Sequence, residues 1–219
     1  MGSLQLSSAA RSFGRLKRLA EKPRAVERCD MCGRDISGEH DHLMQPEDRR
    51  LHCVCGACAI LFSGGAGAKY RRVPRRVRVL DDFQLTDGQW DDLRLPINLA
   101  FFFRSTPAER VVAAYPSPAG ATESMLTLDA WEDLERENPI LREMEPDVEA
   151  LLVNRVASSR GVGEPDYFLV PIDRCYKLVG LIRTKWTGLS GGGEVWGEIN
   201  RFFEELKGQL PPSRGQPSA

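Results

Sequence analysis

Apolar positions in the chain fall into two kinds of run. In the first kind they follow one another almost without a break. Residues 97–103, which hold three consecutive phenylalanines, read as a buried strand, and 111–115, 148–153 and 167–172 read as further strands. The few residues between 103 and 111 favour a hairpin. In the second kind the spacing is helical. Val195, Trp196, Ile199, Phe202, Phe203 and Leu206 lie on one stripe of a last helix. Tyr176, Leu178, Val179, Leu181 and Ile182 mark the helix before it, with Asp173 placed to cap it. Thr86 with Gln89 three residues on forms a capping box for a short helix through Trp90 and Leu93. Asp129 with Glu132 opens another through Trp131 and Leu134, which Asn138-Pro139 ends. This order predicts an α+β fold: a mainly antiparallel sheet with helices packed on one face.

The first third has a different texture. Residues 28–62 carry five of the six cysteines and little apolar material, and 63–68 (Ser-Gly-Gly-Ala-Gly-Ala) read as a flexible joint. Residues 69–78 hold six Lys/Arg and read as a strand or extended arm broken at Pro74. The division that follows is a basic tail or short helix over 1–27, a metal ribbon over 28–62, a joint and basic arm over 63–80, an α+β domain over 81–209 and a disordered tail over 210–219. Charge follows the same line. Residues 1–80 carry 16 Lys/Arg against 8 Asp/Glu, and 81–219 carry 14 against 23, so halves of +8 and −9 make up the net −1. No apolar run approaches the roughly 20 residues of a membrane-spanning helix, and the N-terminus has no signal-peptide pattern, so a cytoplasmic protein is expected.

The cysteines carry the most specific chemistry. Cys29-x-x-Cys32, then 22 residues, then Cys55-x-x-Cys58 offers four thiolates from two knuckles, the donor set of a structural tetrahedral zinc. Iron, as a rubredoxin-like ion or a [2Fe–2S] cluster, is the alternative. Cys53 is a fifth thiol that can replace Cys55 or lie beside the metal. His40, His42 and His52 are the chain's only histidines, and His40 and His42 read as exposed on the loop between the knuckles.

Catalytic signals are absent. With no histidine after position 52, the main domain has no Ser-His-Asp or Cys-His arrangement, and the chain is expected not to be an enzyme. Cys175 falls in the first turn of a predicted helix, where a thiol can be activated, though a buried structural cysteine reads more simply. Weaker candidates for binding a partner or ligand are Ser117, Thr122, Glu123 and Ser124 on a polar stretch after a strand, and Arg183, Lys185 and Trp186 before a glycine-rich turn. Residues 69–78 beside a zinc ribbon also suggest nucleic acid, while a basic face turned toward the acidic main domain explains them equally well.

The ribbon together with Leu95-Pro-Ile-Asn-Leu-Ala-Phe-Phe-Phe-Arg-Ser105, Tyr115-Pro-Ser-Pro-Ala-Gly-Ala-Thr-Glu-Ser124, Pro146-Asp-Val-Glu-Ala-Leu-Leu-Val-Asn-Arg155 and Val170-Pro-Ile-Asp-Arg-Cys-Tyr-Lys-Leu-Val-Gly-Leu-Ile-Arg183 resembles an uncharacterised bacterial family known only as a domain of unknown function. The resemblance covers roughly 28–206. Members are often encoded beside high-affinity [NiFe]-hydrogenase genes, which implies an accessory role in assembly, maturation or regulation of a cytoplasmic metalloenzyme, with hydrogenase subunits or maturation factors as protein partners. The resemblance supplies no catalytic residues.

Overall fold

Three strands buried on both faces organise the molecule. In the computed structural model, which describes residues 26–65, 67–124, 128–161, 163–188 and 191–208, they are β5 (Leu99–Ser105), β8 (Glu149–Asn154) and β9 (Asp166–Pro171). They lie in a six-stranded antiparallel sheet with β4 (Arg78–Val79), β6 (Arg110–Ser117) and β7 (Gly120–Ser124), in the order β4-β9-β8-β5-β6-β7. Strand alternation divides their side chains. Phe101, Phe103, Ala150, Leu152, Phe168 and Val170 meet the two long helices, α4 (Ile172–Lys185) and α5 (Gly192–Gly208). Ala100, Phe102, Leu151, Val153 and Leu169 point the other way.

The α+β class and the antiparallel sheet are as expected, but helices on a single face need correcting. The second face is covered by α2 (Asp87–Asp92), α3 (Leu128–Glu137) and the 3-10 turn Pro139–Glu143, through Trp90, Leu93, Trp131, Leu134, Leu141 and Met144. This is why β5 and β8 carry apolar residues at consecutive positions. A strand with one wet face alternates, and these do not.

Local signals behave unevenly. The capping box holds: Thr86 accepts from the Gln89 backbone N–H, and the Gln89 side chain accepts from Thr86 N–H. Asp129 lies inside α3, which begins at Leu128. Asp173 does not cap α4 either; Pro171 holds that position, and the Asp173 carboxylate accepts from His42 Nδ1 at 2.8 Å. The stretch after β6, expected as a polar loop, is a hairpin that adds β7 to the sheet edge around Pro118 and Ala119. The expected basic tail or helix in 1–25 and the tail from 209 lie outside the described residues.

The ribbon is built from β1 (Asp41–Gln45), β2 (Arg50–Val54), the short helix α1 (Gly56–Phe62) and β3 (Arg71–Arg72), with sheet order β2-β1-β3. Its inner face does not stand alone. Met44 and Val73 belong to the same apolar cluster as α4 and α5. At the ribbon tip, Arg49 pairs with Glu123 of β7, and its guanidinium lies 5.3 Å from the Phe103 ring centroid.

The basic arm becomes an internal strap. Arg71 pairs with Asp147 at 3.0 Å, Arg72 and Arg75 with Asp41 at 3.0 and 3.2 Å, and Arg78 with Glu143 at 2.9 Å. Arg76 grips the buried Glu149 with both arms of its fork, at 2.7 and 3.0 Å, and Glu149 also accepts from the Glu145 N–H at 2.9 Å. Glu149 is only 1% exposed. Arg76→Ala would leave that carboxylate unpaired in the interior, at a cost of about 2 kcal/mol because water can partly replace a half-exposed guanidinium. The expected drop in melting temperature is about 4–8 °C, read by calorimetry. A drop under about 1 °C would show that Glu149 is solvated without its partner.

Asp41 gives the strap a pH dependence. Burial raises its carboxyl pKa, but Arg72 and Arg75 outweigh burial and hold it below the usual carboxylate range. A depressed folded pKa stabilises above the unfolded value near ~3.9 and loses that stability as pH falls through the folded value. The stability gap between the native chain and Asp41→Asn should therefore be present at pH 7 and close below about pH 4. A gap that widens toward acid would contradict the pairing. Among the described residues no helix is long and apolar enough to cross a membrane.

Candidate metal centre

The first knuckle is a tight turn. Residues 28 and 35 pair as an isolated antiparallel bridge, Cys29 N–H donates to Arg34 O at 2.8 Å, and Gly33 N–H donates to Cys29 O at 2.8 Å. Gly33 sits at φ +71°, a conformation that suits glycine, so the turn needs glycine directly after Cys32. The second knuckle ends a strand and starts a helix. Cys55 is the N-cap residue of α1, and Cys58 lies in its first turn. Asp30 ties the two together: its N–H donates to Cys53 O and its carboxylate accepts from Cys53 N–H, both at 2.8 Å.

The result brings Cys29, Cys32, Cys55 and Cys58 together with their sulfurs within 4.8 Å of one another. The Cys32–Cys55 sulfur separation is 3.8 Å. That is the edge of a tetrahedron with metal–sulfur bonds of about 2.3 Å, so the four thiols can hold one metal ion. A two-iron cluster fits poorly, because it needs the two thiolate pairs spread over two metals.

Protonation is unequal in the metal-free cluster. Burial raises the Cys29 thiol, but N–H donors from Cys55, Cys32 and Met31 overcome it and bring the pKa down to about 6. Cys58 is pushed up to about 12, first by burial and then by its bonds to Cys55, Cys32 and Cys29. Four thiolates packed this closely repel one another, and a cation removes the conflict while displacing the remaining protons.

Of the two candidates for the fourth position, Cys55 joins the cluster and Cys53 does not. Cys53 turns to the opposite side, where it meets His40 and His42, with donor atoms again within 4.8 Å of one another. Burial, then Asp30 and Glu27, raises the Cys53 thiol pKa. The expectation that His40 and His42 are exposed is corrected. The His40 side chain is 8% exposed and the His42 side chain 26%. The i, i+2 spacing of His40 and His42 is the only sequence signal for the pair; His40 sits just before β1 and meets the His42 ring edge-on at 4.8 Å between centroids.

The weaker candidates have structural partners. Ser117 and Thr122 hydroxyls lie 3.0 Å apart across the β6–β7 hairpin, Ser124 pairs with Ala113 in the ladder, and Glu123 takes Arg49 and Arg110. Lys185 pairs with Glu194 at 2.6 Å, Trp186 donates its indole N–H to Gly188 O at 3.0 Å and meets Trp196 edge-on, and Arg183 is exposed. Glu194 in the first turn of α5 opposes an anion there. Five of the six cations in 69–78 already face carboxylates of the chain, and Lys69 lies over Tyr70, so little of that charge is left for a phosphate backbone. Cys175 is fully buried among the α4–α5 core residues, and burial holds its thiol well above its ordinary pKa, so it is a packing residue.

Among curated proteins and among solved structures the chain has no match. A family model does match residues 28–210, spanning both knuckles, the strap, the sheet and all five described helices. The chain therefore belongs to that family, a family of unknown function, DUF5947.

Proposed function

We propose that the chain is a non-catalytic zinc-ribbon accessory protein, supporting assembly or regulation of a cytoplasmic metalloenzyme such as a [NiFe]-hydrogenase through a protein partner. The observation that carries the reading is where the metal centre places α1. The helix that supplies Cys55 and Cys58 packs Ala59 inward but leaves Ile60 70% and Leu61 74% exposed. Exposed large apolar residues held rigidly beside a metal centre suit docking better than stability, to which they contribute nothing in the free chain. A donor set of four cysteine sulfurs also suits a closed structural ion, and zinc is the usual one.

Two experiments test this. Elemental analysis and an absorption spectrum of anaerobically purified protein should show colourless protein with zinc in the four-cysteine centre; a red protein with one iron would favour electron transfer instead. In the native host, deletion should lower maturation of the host's [NiFe]-hydrogenase, and complementation with Ile60→Asp/Leu61→Asp should fail while the variant keeps its zinc. Normal hydrogenase maturation in the deletion strain would end the accessory reading.

A further inference from the structure

The second cluster has the construction of a metal site in its own right. His42 and Cys53 are direct cross-strand partners in the β1–β2 ladder, so their side chains emerge on the same face. His40 lies just before β1, and its ring meets that of His42 edge-on, 4.8 Å between centroids, which brings it to the same cluster. His52, one residue from Cys53, falls on the other face and packs edge-on against Tyr70 instead.

The hydrogen bonds orient both imidazoles and set their tautomers. His40 Nδ1 lies 2.8 Å from the Ser37 carbonyl oxygen, which only accepts, so Nδ1 carries the proton and Nε2 presents a lone pair. That Nε2 is buried and has no hydrogen-bond partner among the described residues. His42 Nδ1 lies 2.8 Å from Asp173 Oδ2, and the carboxylate selects the same tautomer and frees the same nitrogen. A carboxylate behind a ligating histidine is the outer support that metal-bound imidazoles commonly have. A buried ring nitrogen without a partner is costly unless something occupies it, and a cation would meet His40, His42 and Cys53 at once.

We propose that His40, His42 and Cys53 form a second metal site, holding one divalent ion of borderline softness, Zn²⁺ by donor chemistry and Co²⁺ as its spectroscopic substitute. Two imidazoles and a thiolate fill three positions of a tetrahedron. The fourth opens on a cleft between the ribbon and α4, lined by Arg75, Tyr176 and Lys177, and takes water or an exchangeable ligand. This separates it from the closed four-cysteine centre, and it does not depend on the accessory role.

The test is metal stoichiometry of the full chain, loaded with Zn²⁺ or Co²⁺ and dialysed. The native chain should hold two ions. Cys53→Ser and the double variant His40→Gln/His42→Gln should each hold one, with unchanged circular dichroism, and Cys53→Ser should lose part of the thiolate-to-cobalt absorption. Asp173→Asn, which keeps all three ligands, should weaken the second ion about 10-fold. A second ion that persists in both variants, or a single ion unaffected by Cys53→Ser, overturns the site. A single ion that disappears with Cys53 supports it and refutes the four-cysteine assignment instead.

Discussion

Removing the ion from the four-cysteine centre is expected to unfold the knuckles and α1 while the six-stranded sheet stays folded. The ribbon's own cluster is Cys29, Leu43, Val54, Cys58 and Ala59, and two of those five belong to the four-cysteine centre. That is too little apolar surface to offset the ordering of some thirty residues, so a bound metal would supply most of the local folding free energy, on the order of 10 kcal/mol in comparable small zinc modules. Chelation at neutral pH, or Cys58→Ser, should raise amide exchange across 28–35 and 55–62 by at least about 100-fold. Exchange in β5, β8 and β9 should stay protected, because none of their packing involves a ligand. β1 should show an intermediate response, since Met44 and Val73 still anchor the ribbon sheet to the core under α4 and α5. Acidification should act in the same direction, because protons compete for the thiolates. If exchange across 28–35 is unaltered by chelation, the centre is not what holds the ribbon together.

The limits of the sequence reading follow from the range of the interactions. The paired Cys-x-x-Cys motifs, the Thr86–Gln89 capping box and the strand runs are local patterns, and the structure places them as read. β7 was missed because Gly-Ala-Thr-Glu-Ser has no apolar alternation; edge strands are often polar, and its signal is the turn before it rather than its own composition. Asp173 looks like a helix cap from its neighbours, yet its partner is His42, 131 residues away. The same holds for Arg76 and Glu149, where only the charge asymmetry hinted that the arm faces acids. The His40, His42 and Cys53 grouping was half legible. The i, i+2 spacing of the histidines was visible, but the register that brings Cys53 opposite His42 depends on hairpin pairing that no single residue encodes.

The covered second face makes the largest prediction for the main domain. Residues 99–103 carry apolar side chains at consecutive positions, and a sheet packed on one side only would leave Ala100 and Phe102 in water. Instead Phe102 is fully buried, with its ring 5.7 Å from that of Trp131 on α3. Phe102→Ala should therefore open a cavity between sheet and α3 and cost about 3–5 kcal/mol, lowering the melting temperature by roughly 10 °C. Leu61→Ala, at 74% exposure, removes a comparable apolar group and should cost under about 0.5 kcal/mol. The loss at Phe102 should be the same with and without the metal, because ribbon cluster and second-face cluster share no residue and their energies should add. A cost below about 1 kcal/mol would mean that α3 does not hold the second face. A cost that vanishes on chelation would mean that the ribbon and this face fold as one cooperative unit.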